Sequence, residues 1–205
     1  MKAHSQDRGS EPDGSGRVRD RGRRIMILAG SHRTGAYSTA LARAVAERLV
    51  AEGREVDLVE LAGLDLPMHD PIDHRDPEAS ADPRVRTFAR RVREAGSFVW
   101  ISPVYHGSYS SGFKNAIDNV NISLMQGKPV AVMVHGGGRF SGSALDHLRA
   151  VGVNLHARVL NVGVVTNTSD FTQTEAGPQL TSEAIHARLE RVVDELLESE
   201  ERTTG

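Results

Sequence analysis

Five consecutive apolar residues, Val130-Ala131-Val132-Met133-Val134, constrain the fold more than any other feature of the chain. A strand with one face in water alternates apolar and polar residues, whereas a strand covered on both faces can be apolar throughout. Further apolar runs occur at 25–29 and 97–101, and segments with helical spacing of apolar residues separate the three. This alternation predicts an α/β protein with a parallel sheet and helices on both faces.

The predicted elements specify a topology. We predict strands at 25–29, 55–60, 97–102, 129–135 and 156–166, and helices at 38–52, 82–95, 111–120, 141–152 and 181–199. Right-handed crossovers then give a doubly wound, five-stranded parallel sheet in the order 2-1-3-4-5. The first, third and fourth strands are neighbours in this order, so the loops that follow them should meet at one edge of the sheet.

Composition and charge exclude several functions. The 205 residues suffice for one domain, and the formal net charge of −2 gives no sign of a surface for nucleic acid or acidic lipid. The chain has no Cys, which excludes disulfides, thiolate metal sites and a cysteine nucleophile. Any redox chemistry must therefore come from a bound cofactor.

The ends of the chain are predicted to lie outside the domain. Residues 1–23 are polar and Arg-containing, so we expect a disordered tail there, a domain at 24–200 and a flexible C-terminus at 201–205. No segment has the apolar length of a signal peptide or a membrane span. We expect a cytoplasmic protein that binds neither membrane nor nucleic acid.

The loop after the first predicted strand is suited to a phosphate. It reads Gly30-Ser31-His32-Arg33-Thr34-Gly35-Ala36-Tyr37-Ser38-Thr39 and leads into a helix. Hydroxyl groups, an arginine and the unpaired amides of a helix N-terminus all attract an anion. Neither G-x-x-x-x-G-K-[S/T] nor G-x-G-x-x-G occurs here, which argues against a nucleoside triphosphatase and a dinucleotide-binding unit. A phosphate monoester such as that of FMN would suit this loop.

The loop after the third predicted strand, residues 103–108, lies between a buried strand and a helix. We expect its backbone amides to face outward at the carboxyl end of the strand, where a planar aromatic ligand would fit. Taken alone, this segment would be interpreted as an ordinary connection between a strand and a helix.

Together the two loops resemble those of the NADPH-dependent FMN reductase family, flavoproteins with a flavodoxin-like fold. The first family loop, G-S-x-R-x-x-S-x-[S/N], is matched at Gly30, Ser31, Arg33 and Ser38, and Ala36 replaces a usual Ser. The second family loop is matched at Ser102, Pro103, Tyr105, Ser108, Gly112, Lys114, Asn115, Ala116, Ile117 and Asp118. Phe113 and Asn119 replace the usual Leu and Trp. The resemblance extends over residues 24–200.

The resemblance implies an FMN site and a reaction. Hydride would pass from NADPH or NADH to FMN, and no side chain is needed as a catalyst. The residues implied to bind the phosphate are Ser31, Arg33, Ser38 and Thr39. Those implied to hold the ring, mainly through the backbone, are Pro103, Val104, Tyr105, His106, Gly107 and Ser108. A glycine loop, which would approach the ring without a Cβ, comprises Gly136, Gly137 and Gly138.

The electron acceptor and the partners stay open. Reduced FMN could leave to supply a flavin-dependent monooxygenase, or bound FMN could reduce a quinone, an azo compound or a metal oxyanion. A flavodoxin-type electron carrier and a flavin-free relative are the alternatives, although carriers are usually acidic and have a T-x-T-G-x-T loop. We also predict a homodimer or homotetramer, because the 61–81 loop contains an apolar set: Leu64, Leu66, Pro67, Met68 and Ile72.

Other residues with reactive side chains are given structural roles. The cluster His69, Asp70, Asp73, His74 and Asp76 lies in a Pro-containing loop without the spacing of a metal site, so we predict no metal. His135 is predicted to be a hydrogen-bonded histidine, with contact to the flavin as the alternative. Trp100 is assigned to the core.

Overall fold

The computed structural model describes residues 24–137 and 141–204, so the predicted N-terminal tail and Gly138 lie outside the described residues. The strands are β1 Ile25–Ala29, β2 Val56–Glu60, β3 Ser97–Pro103, β4 Pro129–His135, β5 Arg158–Val159, β6 Val164–Thr166, β7 Phe171–Thr174 and β8 Gly177–Leu180. The α-helices are α1 Tyr37–Ala51, α2 Pro83–Glu94, α3 Ser111–Asp118, α4 Ile122–Met125, α5 Ser141–Asn154 and α6 Glu183–Thr204.

A parallel sheet in the order β2-β1-β3-β4-β5 forms the centre of the fold, as predicted, and β6 also pairs with β4. The apolar run in β4 is buried on both faces. Val132 packs on one side with residues of α2, α3 and α5, whereas Met133 packs on the other side with residues of α1 and α6. This two-sided burial explains why the strand sequence shows no alternation.

The fifth predicted strand, 156–166, is wrong as a continuous element, because it divides into β5 and β6. Between them Leu160 still donates to the carbonyl of Val130 in β4, at 2.9 Å, but the residues that follow it bond to side chains. The Glu195 carboxylate of α6 accepts hydrogen bonds from the amides of Asn161 (3.1 Å) and Val162 (3.2 Å). Arg188 donates to the carbonyl of Gly163 at 2.6 Å. These contacts satisfy the backbone where the ladder is interrupted.

The C-terminal part contains two further features. An antiparallel hairpin, β7–β8, precedes the last helix. Helix α6 continues to Thr204, past its predicted end at 199, and Glu200 explains why this last part is held. Its carboxylate accepts from Arg54 of the α1–β2 connection and from Ser97 of β3, both at 2.5 Å. None of the helices in the described ranges is both long and apolar enough to cross a bilayer.

Candidate functional site

The carboxyl ends of β1, β3 and β4 bring three loops to one edge of the sheet, as the strand order predicts. We call them the phosphate loop (residues 30–39), the ring loop (103–108) and the glycine loop, of which the structure describes residues 136–137. Backbone hydrogen bonds join them: the amide of Gly30 donates to Ile101 at 2.7 Å, and that of Val104 donates to His135 at 2.8 Å. The amide of Gly136 donates to Thr166 at 2.9 Å, which adds the end of β6 to the same edge.

Helix α1 begins at the phosphate loop without a capping side chain. Ala36 occupies the N-cap position, and no side chain accepts a hydrogen bond there. The amides of Tyr37, Ser38 and Thr39 fall in the first turn, where a helix offers no carbonyl partner. The helix dipole adds partial positive charge at the same point. The replacement of the family serine by Ala36 therefore leaves the helix end open.

Ser38 is a buried polar side chain at this helix end. Its side chain is 1% exposed, and its Oγ has no hydrogen-bond partner among the described residues. A buried hydroxyl without a partner is unfavourable, so a phosphate oxygen in contact with it would satisfy the group. Arg33 is exposed nearby in the chain, and its guanidinium pairs with no carboxylate in the described ranges. The Ser31 Oγ accepts from the Arg33 amide at 3.1 Å and braces the loop. These residues fit the phosphate of FMN.

Ser110 connects the phosphate loop to the ring loop, and the sequence did not single it out. Its Oγ donates to the carbonyl of Gly30 at 2.5 Å and accepts from the amide of Phe113 at 3.1 Å. It is thus the N-cap of α3 and a brace between two loops. A serine directly before a helix was the available signal, because serine is a preferred N-cap residue.

The ring loop is a tight turn, in which some of the amides that we expected to face outward are bonded within the fold. Tyr105 and Ser108 form an antiparallel bridge in which each amide donates to the other's carbonyl, at 2.9 and 3.0 Å. His106 and Gly107 both have positive φ, 49° and 77°, as a type I′ turn requires. Since Pro103 has no amide hydrogen and Val104 donates to His135, only His106 and Gly107 keep amides without a partner in the described ranges.

The glycine loop packs directly against the ring loop. A Cβ on Gly136 would lie 2.7 Å from the Cβ of Val104 and 2.8 Å from the Oγ of Ser141, so a larger residue does not fit. Gly137 is exposed and has open space around it. A cleft of about 350 Å³ opens beside these glycines, lined by Gly136, Gly137, Val165, Asn167 and Thr168. Such a volume lies within the usual range of ligand pockets.

His135 is hydrogen-bonded, as predicted, at the carboxyl end of β4. Its Nδ1 lies 3.1 Å from the Oγ1 of Thr166, and its ring stacks on Tyr37 with centroids 4.8 Å apart. Burial lowers the pKa of His135 below its ordinary value, Asp170 opposes this shift and Arg33 reinforces it. A neutral imidazole therefore lies beside the first residue of α1.

The histidines and carboxylates of the 61–81 loop form no metal cluster within the described ranges. The rings of His69 and His74 meet edge to face, with centroids 5.9 Å apart. The Asp73 carboxylate accepts from Ser80 at 2.6 Å, and Asp70 accepts from the amide of Ile72 at 3.0 Å. Four of the five side chains therefore have structural contacts, and Trp100 is buried in the core.

Comparisons with known proteins agree with this geometry. A family model described as NADPH-dependent FMN reductase matches residues 23–172. An FMN-dependent NADPH-azoreductase of Staphylococcus saprophyticus is 29% identical over 173 residues, which cover 84% of this chain and 92% of the relative. An FMN-dependent NADPH-azoreductase of Staphylococcus aureus (strain USA300) is 28% identical over 176 residues, 84% of this chain and 92% of the relative.

Solved structures share the fold. FerB, a flavoenzyme NAD(P)H:(acceptor) oxidoreductase of Paracoccus denitrificans, superposes with a TM-score of 0.69 at 21% identity, over 88% of this chain and 98% of that one. These comparisons confirm the resemblance that the two loops indicated. Since the family model spans more than half of its residues, the chain belongs to the NADPH-dependent FMN reductase family.

Proposed function

We propose that the protein holds FMN at the three-loop edge as a bound cofactor and passes electrons from NADPH to a small aromatic acceptor, an azo compound or a quinone. Family membership indicates FMN, NADPH and an oxidoreductase activity. The single observation that supports the site is the buried, unpartnered Ser38 hydroxyl inside the uncapped end of α1. The azoreductases among the relatives support the acceptor class.

Each loop would have a separate task. Ser31, Arg33, Ser38 and Thr39 would bind the phosphate, and the free amides of His106 and Gly107 would donate to the polar edge of the ring. Gly136 and Gly137 would let the backbone approach the ring closely. When bound, FMN supplies the chemistry, accepting hydride from the nicotinamide and releasing electrons to the acceptor. The protein's own work is binding and orientation, so the proposal assigns no acid or base.

Turnover assays distinguish this proposal from its alternatives. The purified protein should contain FMN or take it up, and NADPH oxidation should saturate with an azo dye or a quinone and need no added free flavin. NADH assayed in parallel gives the coenzyme preference. Oxidation that depends on added free FMN would instead support flavin release to a monooxygenase partner. FMN binding without NADPH oxidation would support an electron carrier, and failure to bind FMN would support a flavin-free relative.

We further propose a homodimer or homotetramer in which a second copy covers part of the 61–81 loop. Three of the five apolar residues named for this surface, Leu64, Leu66 and Pro67, are partly buried in their own chain, but Met68 and Ile72 are each 82% exposed. A groove of about 530 Å³ adjoins this loop; its lining includes the apolar residues Ile117, Val120, Val151 and Leu155 and the charged pair Lys114 and Asp118. An exposed apolar pair and an apolar groove on neighbouring surfaces suit a two-fold contact between identical chains.

Charge introduced on this loop should dissociate the oligomer. The variant Met68→Glu/Ile72→Glu is expected to behave as a monomer of 22.2 kDa by light scattering, because burying two carboxylates in an apolar contact is unfavourable. The matched control is Val50→Glu, which places a charge on another exposed apolar residue, at the end of α1. A monomeric wild type, or a double variant of unchanged size, would contradict the proposal.

The cytoplasmic location of the protein stays a prediction.

A further inference from the structure

Side chains of helix α5 contact the ring loop. The Ser143 Oγ donates a hydrogen bond to the carbonyl of Gly107 at 2.6 Å. The Oγ of Ser108 lies 3.0 Å from the Nδ1 of His147, within hydrogen-bond distance. Ser143 and His147 are four residues apart, so they project from the same face of the helix. Two side chains of one helix therefore reach the tip and the last residue of the turn.

The same helix also contacts the glycine loop. The Ser141 Oγ donates to the carbonyl of Gly136 at 2.9 Å, and Ser141 is buried. Helix α5 itself is anchored, because Ala144 and Leu148 are fully buried in the core. Because this helix is fixed in the core, its hydrogen bonds restrain the ring loop and the glycine loop from the same rigid element.

The turn needs such support, since its conformation is intrinsically unfavourable at one residue. His106 has a φ of 49°, a left-handed conformation that residues other than glycine rarely adopt. His106 and Gly107 also carry the only ring-loop amides without a partner in the described ranges. A small rotation of the turn would redirect both amides away from a ligand.

We propose that Ser143 and His147 are positioning residues for the flavin, acting through the ring loop. They hold the amides of His106 and Gly107 in the direction that the edge of the ring requires. This inference rests on the proposed function, because it takes the ring loop as the place where the flavin ring binds. Neither residue belongs to the family loop patterns that the sequence matched.

The test compares Ser143→Ala/His147→Ala with Asp146→Ala. Asp146 lies on the same helix, is exposed and pairs only with Arg149, at 2.9 Å, among the described residues. Loss of two hydrogen bonds to the turn should weaken FMN binding about tenfold and shift the visible spectrum and midpoint potential of the bound flavin. The Asp146→Ala variant should match the wild type. Ser143→Thr, which keeps the hydroxyl, should restore part of the affinity lost in Ser143→Ala.

A measurement without flavin keeps the two proposals separate. Amide hydrogen exchange at Tyr105 and Ser108, whose amides close the turn, should be faster in the apoprotein of the double variant than in that of Asp146→Ala. Equal exchange rates, or equal FMN affinity and potential in a wild type that binds FMN, would overturn the inference. A wild type that fails to bind FMN would overturn the proposed function, and with it the role of the two residues toward the flavin.

Discussion

The variant Arg33→Ala/Ser38→Ala is expected to bind FMN at least about tenfold more weakly than the wild type. Ser38 offers a buried hydroxyl with no partner, and Arg33 offers a guanidinium that no carboxylate neutralises in the described ranges. Hydrogen bonds from such groups to a charged phosphate contribute about 1.5–3 kcal/mol each. Removing both groups removes the charge-assisted part of the phosphate contact, while the helix amides remain.

Flavin fluorescence titrations with two ligands test this cause. Riboflavin lacks the phosphate, so its affinity should be nearly the same for the wild type and the variant. The control Arg43→Ala/Ser123→Ala removes the same residue types from exposed positions, where Arg43 pairs with Glu60 and Ser123 contacts Asn121. An unchanged affinity for FMN, or an equal loss for riboflavin, would show that the phosphate binds elsewhere.

The variant Gly107→Val is expected to lose most of its flavin and most of its NADPH oxidation while staying folded. Gly107 has a φ of 77°, and a β-branched residue is strained in that conformation. The strain should cost about 1–3 kcal/mol and displace the turn, so the two free amides no longer meet the ring. Flavin content after purification and the NADPH oxidation rate at saturating FMN measure the two losses.

Two further variants separate strain at the site from strain in general. Gly107→Asn should retain most of the flavin, because Asn tolerates positive φ in a type I′ turn. Gly53→Val imposes similar strain, since Gly53 has a φ of 72°, but it follows α1 at the opposite end from the phosphate loop. This control should lose stability and keep its FMN affinity. If a folded Gly107→Val protein kept full FMN affinity, the result would show that the flavin ring does not bind at the 103–108 loop.

Local sequence patterns were sufficient to predict the strand order of the sheet and the edge at which the three loops come together. The apolar runs at β1, β3 and β4 specify buried parallel strands, and the strand order follows from right-handed connections. The division of the fifth strand could not be predicted in the same way. It depends on Glu195, whose carboxylate reaches Asn161 and Val162 from a helix more than thirty residues later in the chain.

The conformation of the ring loop also involves contacts between residues that are far apart in the sequence, so the sequence alone could not predict it. The sequences that usually predict a type I′ turn are Asn-Gly and Asp-Gly, whereas this turn has His106-Gly107 at its two central positions. The side chains that contact that turn from α5, Ser143 and His147, follow it by more than thirty residues. The sequence indicated part of the arrangement at the start of α1, because Ala36 stands where the family loop usually has a serine hydroxyl. Only the structure shows that this residue is the N-cap.

The phosphate contact proposed at the uncapped start of α1 would link cofactor binding to the stability of the chain in the cell. Loss of a capping side chain typically costs a helix about 0.5–2 kcal/mol, a deficit that a bound phosphate would offset. Any ligand that binds only the folded state adds stability by mass action, about 2.7 kcal/mol at a concentration one hundred times its dissociation constant. Newly made chains would then resist proteolysis in proportion to the flavin available, so that a cell short of FMN would degrade enzyme that it could not use.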